Sequence, residues 1–291
     1  MANLKEVKTR ISSVTSTQQI TKAMKMVAAA KLRKSQDRIL QMRPFAQKMT
    51  GVMQNLSAGT SDGDTWYSKP RAEEKILIVA ISSDRGLCGS FNSYVFKSVL
   101  RLVQERYATQ RASKNITVLP IGKKALDFFN KQPFQVVGDF SEIFHSLSFE
   151  KVSEAADYMI GCYQKAKFDK IEIVYNQFKN VATQILIIEQ LLPVLPVKSE
   201  KKPNIDFIFQ PNQDEIISGL IPKALKVQLY KAVLDSNASE NGARVTAMDK
   251  ATENAGDLLK DLKLMYNRSR QAAITKEILE IVAGAEALKS A

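Results

Sequence analysis

The sequence predicts an α/β fold with long helices: an antiparallel coiled coil of the N- and C-terminal helices plus an inserted α/β domain. Three observations carry this. Apolar residues recur in a three-four rhythm through residues 1–57. They do so again through residues 213–291. Between these stretches, short runs rich in β-branched residues alternate with amphipathic ones. An insert that returns the chain to its starting place lets the two end helices pair antiparallel. The expected shape is a rod with a globular knob at one end.

The first helix is expected over residues 1–57. Its seam takes positions 4, 7, 11, 14, 18, 21, 25, 28, 32, 35, 39, 42, 46, 49, 53 and 56. Twelve of these sixteen are apolar, from Leu4, Val7 and Ile11 to Met49, Met53 and Leu56, a coiled-coil pattern of about seven heptads. The polar exceptions are Gln18, Thr21, Lys25 and Ser35. Where they interrupt the seam, the helix is expected to face something other than its partner helix. Pro44 is expected to kink or break it near Arg43. Residues 58–74, rich in Ser, Gly and Asp, read as a linker.

Residues 75–193 read as the α/β domain. Strands are expected at 75–82, 116–122, 134–140, 171–179 and 182–193, the last pair joined by a tight turn near Lys179–Val181. Helices are expected from Ser93 to Gln110, over residues 123–131 and from Phe149 to Lys167. The alternation implies a largely parallel, Rossmann-like sheet with one antiparallel addition. Residues 194–212 form a basic, proline-bearing connector.

The last helix is expected over residues 213–291, with Pro222 kinking it or starting its main run. Its seam reads Met248, Ala251, Ala255, Leu258, Leu262, Met265, Ser269, Ala272, then changes phase to Ile274, Ile278, Ile281, Ala285, Leu288. A helix over most of this span is roughly 100 Å long. It cannot bury itself in one small domain, so it needs a partner helix and other chains.

Composition narrows the chemistry. The net charge is +12, and residues 1–58 hold eleven Lys/Arg against Glu6 and Asp37 alone. Residues 240–291 balance eight bases with eight acids, so the basic character belongs to one helix. Only Phe45 is aromatic in that helix, which favours a solvated face or a lining against an acidic protein sleeve over a nucleic-acid grip. No run of about 18 apolar residues marks a membrane span, and the first residues lack the apolar core of a secretion signal. Cys88 and Cys162 read as thiols in a reducing compartment, and His145 is the only histidine. The segment SSDRGLCGSFN follows a strand and precedes a helix, where doubly wound folds bind phosphate. It lacks the Lys of a phosphate loop and the three glycines of a dinucleotide fingerprint, so it reads as a structural turn. No nucleophile, base and oxyanion site assembles. No catalytic, cofactor-binding or metal-binding residue is assigned, and no cofactor is expected.

The stretch ASENGARVTAMDKATENAGDLLKDLKLMYNRSRQAAITKEILEIVAGAEAL resembles the signature region of the γ subunit of F-type ATP synthases. TQQITKAMKMVAAAKLRKSQDR resembles that family's first helix, and DRGLCGSFN its internal motif. The resemblance runs end to end and implies a non-catalytic central-stalk rotor of a proton-translocating synthase. It would couple rotation of the c-ring to conformational cycling of the catalytic β subunits. The implied partners are the hexamer of α and β subunits, the ε subunit and the c-ring, with no nucleic acid. The implied location is the cytoplasmic side of a bacterial inner membrane, peripheral to it.

Arg270, Gln271 and Thr275 match family positions that meet the β subunits, with Met24 and Lys25 opposite on the first helix. Phe207 and Gln210 match a segment near the c-ring, where relatives often carry an acidic residue in place of Gln210. The small and apolar tip, Ile278, Ile281, Val282, Ala283, Gly284, Ala285, Ala287 and Leu288, suits a bearing. No cysteine-bearing insertion precedes the last helix, so thiol control of that kind is not expected. The rival classes are a basic coiled-coil adaptor or nucleic-acid scaffold, and a nucleotide-binding α/β enzyme.

Overall fold

The structure, a computed structural model, describes residues 4–59, 66–67, 71–194 and 213–289. Helix α1 covers Leu4–Gly59 and helix α6 covers Gln213–Lys289. Between them lie β1 (Ile76–Ile81), α2 (Phe91–Arg106), α3 (Ala108–Ala112), β2 (Ile116–Ile121) and α4 (Lys123–Phe129). Then come β3 (Gln135–Val136), a 3-10 turn at Ile143–Ser146, α5 (Phe149–Gln164), β4 (Lys170–Phe178) and β5 (Gln184–Leu192). The chain divides into two compact units, residues 1–27 with 245–291 and residues 28–244.

The larger unit is built on one sheet of order β3-β2-β1-β4-β5. The first four are parallel, with Ile76 opposite both Ile116 and Lys170; β5 runs antiparallel to β4, with Val174 opposite Ile188. β1 and β2 are wholly buried, because both faces are covered. Leu77, Val79 and Ile81 pack with Met159 and Tyr163 of α5 and with Leu225, Leu229 and Val233 of α6. Ile76, Ile78 and Ala80 pack with Val95 and Val99 of α2 and Phe129 of α4.

Two departures from the sequence expectation have local causes. The strand expected at 134–140 shrinks to two residues facing Thr117 and Val118. The carbonyl of Val118 accepts from the Val137 amide. Two residues on, Pro120 points the same way, beyond the end of β3, so its missing N–H forfeits no ladder bond. The single helix expected from Ser93 to Gln110 is instead two, broken at Tyr107 (φ −122°), whose ring turns into the core beside the Lys170 ammonium.

Helix α1 runs through Pro44 without the expected break. Pro44 and Leu40 are both exposed, so the carbonyl that loses its bond lies on a solvent-facing side of the helix, where the loss costs least. Helix α6 likewise begins well before Pro222.

The α1 seam falls where the spacing puts it: among the residues whose burial is described, Val7, Ala28, Leu32, Ser35, Ile39 and Ala46 are the buried ones, all seam positions. In the larger unit, Ser35 Oγ donates to Asn237 Oδ1 at 2.6 Å, and Arg43 lies 3.9 Å from Asp235. In the smaller unit, Gln18 Nε2 donates to the Thr252 carbonyl at 3.4 Å and Lys25 pairs with Asp249. Rising α1 numbers meet falling α6 numbers, so the pairing is antiparallel. The helices close in tightly enough that a Cβ on Gly256 would stand 3.0 Å from Gln18 Nε2.

Two seam expectations are corrected. Gln18, Thr21 and Lys25 face the partner helix, because α6 answers them with Thr252 and Asp249. The expected seam of α6 holds at Met248, Ala255 and Leu262 and fails at Leu258, in whose place Leu259 is buried. Leu259 is 8% exposed and Leu258 48%; within the smaller unit, Met248, Ala255 and Leu262 are the other buried residues of α6 among those described. Of two adjacent leucines, the partner selects one.

Candidate functional site

Three surfaces concern function. The first is the end of α6. Continuing the antiparallel register puts Leu4 level with about residue 268 of α6. Every residue from Gln271 to Leu288 is exposed, including Ile274, Ile278, Leu279, Ile281, Val282 and Leu288. About 28 Å of helix thus presents apolar side chains to solvent, counted from Arg270. The second-phase seam expected there finds no partner helix among the described residues. Arg270 and Gln271 are exposed, and Thr275 Oγ1 donates to the Gln271 carbonyl at 2.9 Å within the helix.

The second surface is the paired stretch of the same unit. Thr252 Oγ1 donates to Thr21 Oγ1 at 2.8 Å, one turn from the Lys25–Asp249 pair at 2.5 Å. Met24 is half-buried beside this polar layer, while Ile20, Met26 and Val27 are exposed. Met24 and Lys25 therefore share one end of the layer, and Arg270, Gln271 and Thr275 share the free tip. Phe207 and Gln210 lie outside the described residues.

The third surface belongs to the larger unit, around the turn after β1. Several of its polar side chains are used internally. The Ser83 amide donates to Asn92 Oδ1 at 3.0 Å, and Ser83 Oγ to the Arg85 carbonyl at 2.7 Å. Asn92 Nδ2 reaches Cys88 Sγ at 3.4 Å, and Asp84 Oδ1 accepts from the Lys123 amide. Leu87 and Gly89 take positive φ, 63° and 61°. Burial pushes the Cys88 thiol up. The side chains of Ser83, Asp84 and Asn92 are thus spent on the turn and the start of α4, which supports the structural reading over a phosphate cradle.

Beside it opens a cleft of about 630 Å³ walled by α1, this turn, residues 144–148 and α6. Lys31, Lys34, Arg38, Arg85 and Arg244 outnumber Asp84 and Glu240 there. Sequence reasoning missed Arg244 and Glu240. Their spacing of four residues on one helix face was the available signal. Arg244 Nη1 pairs with Glu240 Oε1 at 2.6 Å.

A family model described as ATP synthase matches residues 3–288. The ATP synthase gamma chain of Cytophaga hutchinsonii is 50% identical over the whole of both chains. That of Flavobacterium psychrophilum is 53% identical, over 99% of this chain and 100% of its own. This chain belongs to the ATP synthase gamma-chain family.

Solved structures agree. A chain of the Tetrahymena thermophila mitochondrial ATP synthase, solved as central stalk and c-ring, is 26% identical with a TM-score of 0.56, covering 80% of this chain and 99% of that one. A chain of the Euglena gracilis enzyme, solved as OSCP, F1 and c-ring, shares the fold: 24% identity, TM-score 0.69, coverage 98% and 94%. A gamma chain is a central-stalk rotor subunit and is not itself the catalyst; the catalytic sites lie on the β subunits. No described helix is long and apolar enough to cross a membrane.

Proposed function

We propose that this chain turns between a c-ring and the F1 sleeve of α and β subunits, with ε at its foot, in a bacterial proton-translocating synthase. It would work peripheral to the inner membrane, on the cytoplasmic side. Residues 1–57 and 213–291 form the shaft, and residues 75–193 the domain that meets the ring, with Phe207 and Gln210 in the connector beside it. The observation that carries this reading is the bare apolar helix end from Arg270 to Leu288. Such a surface costs solubility unless a sleeve surrounds it. Apolar, small side chains slide past many partners without binding one strongly, as a bearing requires.

Torque needs directional contacts in addition. Moving a β site from 1:99 to 99:1 between two states takes about 5.5 kcal/mol of differential affinity. Hydrogen bonds to charged groups contribute about 1.5–3 kcal/mol each, so two to four of them suffice. Arg270, Gln271 and Thr275 at the tip, with Met24 and Lys25 on α1, are the candidates. Cations lining the cleft at Lys34, Arg38 and Arg85 suit an acidic surface on the sleeve. The shaft then drives the β sites by meeting their open and closed states with different strengths.

Reconstitution tests this. The chain is mixed with purified α and β subunits, with and without residues 270–291, and complex formation and ATP hydrolysis are followed. The expected result is a complex that turns over ATP only with the chain present, with coupling reduced by the truncation. A chain that ignores α and β but binds nucleic acid, with affinity falling steeply in salt, overturns the reading.

A further inference from the structure

We infer that Arg244 is a positioning residue that latches the turn after β1 to helix α6, so that turning force passes between the α/β insert and the shaft through this grip. The inference rests on the rotor reading above. A rotor whose ring-facing domain is an insert needs a stiff link from that domain to its helices, and the backbone joins them only through residues 60–75 and 193–212. Side-chain contacts must carry the rest.

Arg244 is placed for this. Its side chain is 13% exposed. One nitrogen pairs with Glu240 one turn back on α6, which holds the guanidinium in a single orientation. The other donates to two successive carbonyls of the turn, Arg85 at 3.2 Å and Gly86 at 3.3 Å. Those carbonyls belong to a junction of the insert cross-tied by side-chain hydrogen bonds. The Arg85 carbonyl also accepts from Ser83 Oγ, and Ser83 is held by Asn92 of α2. The amides of Lys123, Lys124 and Ala125 bond Asp84, the Ser83 carbonyl and Ser82 Oγ, tying in the start of α4. A pull on α6 at Arg244 is therefore shared at once by β1, α2 and α4. The Glu240 carboxylate is the buried counter-charge that keeps the fork aimed; removing it alone would free the guanidinium to turn to the cleft.

The fork geometry separates a latch from a plain ion pair. Lysine at 244 keeps a charge beside Glu240 but cannot bridge to two carbonyls as well. Cys88 lies in the same turn and is buried, so its thiol reports opening. In the full chain carrying Cys162→Ser, Arg244→Lys should raise the labelling rate of Cys88 at least about tenfold, the factor that matches one lost charge-assisted hydrogen bond. In the reconstituted complex, with a bead on an exposed site of the insert, the same variant should still hydrolyse ATP but show wider angular fluctuation in each dwell.

Arg244→Gln leaves Glu240 buried without a partner and risks misfolding. The double variant Glu240→Gln/Arg244→Gln removes both charges and should behave as Arg244→Lys does. If Arg244→Lys leaves both labelling and fluctuation at wild-type values, the ion pair alone matters and the latch is overturned. A wild-type insert that fails to turn with ATP sinks the rotor reading, while Cys88 labelling still decides whether the latch exists.

Discussion

Replacing Asp235 with asparagine should stabilise the protein near neutral pH and do less in acid. Asp235 is 1% exposed on α6, and its Oδ1 has no hydrogen-bond partner. Burial pushes its carboxyl up from 3.8 to about 6; Arg43 and Lys231 pull it down, and Glu189 adds to the rise. Between those two values the folded chain holds a proton that the unfolded chain has released. Stability therefore falls as pH rises through roughly 4 to 6 and loses nothing further through this group above that. About two pH units at 1.36 kcal/mol each put the cost near 3 kcal/mol at pH 7.5. Asparagine keeps the shape without the charge. The attraction of Arg43, a guanidinium 43% exposed at 3.9 Å, is already contained in that net cost, so its loss subtracts nothing more. The net gain at pH 7.5 should be about 1–3 kcal/mol. With a urea m-value of about 2–3 kcal/mol/M, the midpoint should rise by roughly 0.5–1 M. Other titrating groups cancel between variant and parent, so the gap should widen by about 1.4 kcal/mol from pH 5 to pH 7.5. A lower midpoint for Asp235→Asn at pH 7.5, or a gap that stays constant across that range, would refute the reasoning.

Two further predictions concern stability alone. Leu259→Ala should cost about 2–4 kcal/mol in urea unfolding and Leu258→Ala well under about 1, since one is buried and its neighbour half-exposed; equal costs would mean that the seam phase is wrong. Gly122→Ala should cost several kcal/mol, on the order of 3 or more, because φ is +103° and the added Cβ would stand 2.4 Å from the Ser82 carbonyl oxygen. A thermal midpoint unchanged by that substitution would contradict the close approach of the Gly122 and Ser82 backbones.

How far sequence reasoning reaches depends on whether a feature is set by its own segment or by its partner. The α1 seam was legible because a strict three-four alternation has one solution, and all the described buried positions of that helix lie on it. β1 and β4 were legible for a similar reason, as runs of Ile, Val and Leu that no solvated element would carry. The exposed apolar tip was visible in composition too, although a run such as Ile274, Ile278 and Ile281 reads the same whether it has a partner within the chain or outside it. What failed needed the other side. Leu258 and Leu259 are equally apolar, and only α1 chooses between them. Gln18, Thr21 and Lys25 looked like gaps in a seam until Thr252 and Asp249 stood across from them. The extent of β3 was unreadable because a strand ends where its neighbour stops answering, and Pro120 is tolerated for that same reason.

The turn after β1 joins both lessons. Its glycines resembled a ligand loop, and its own Ser83 and Asn92 showed that it could be self-satisfied. Nothing within it announced Arg244, which lies 158 residues away from Gly86 in the chain. A rotor has reason to keep such long-range polar contacts. Apolar packing resists separation, but side chains can still slide along a smooth interface. Directional bonds to backbone carbonyls resist sliding as well, and twist between insert and helix is a sliding load. On that argument the contacts that matter most for transmission are those least visible to hydrophobic periodicity: Arg244 to the turn, Arg43 to the Phe178 carbonyl, and Gln228 to Glu189.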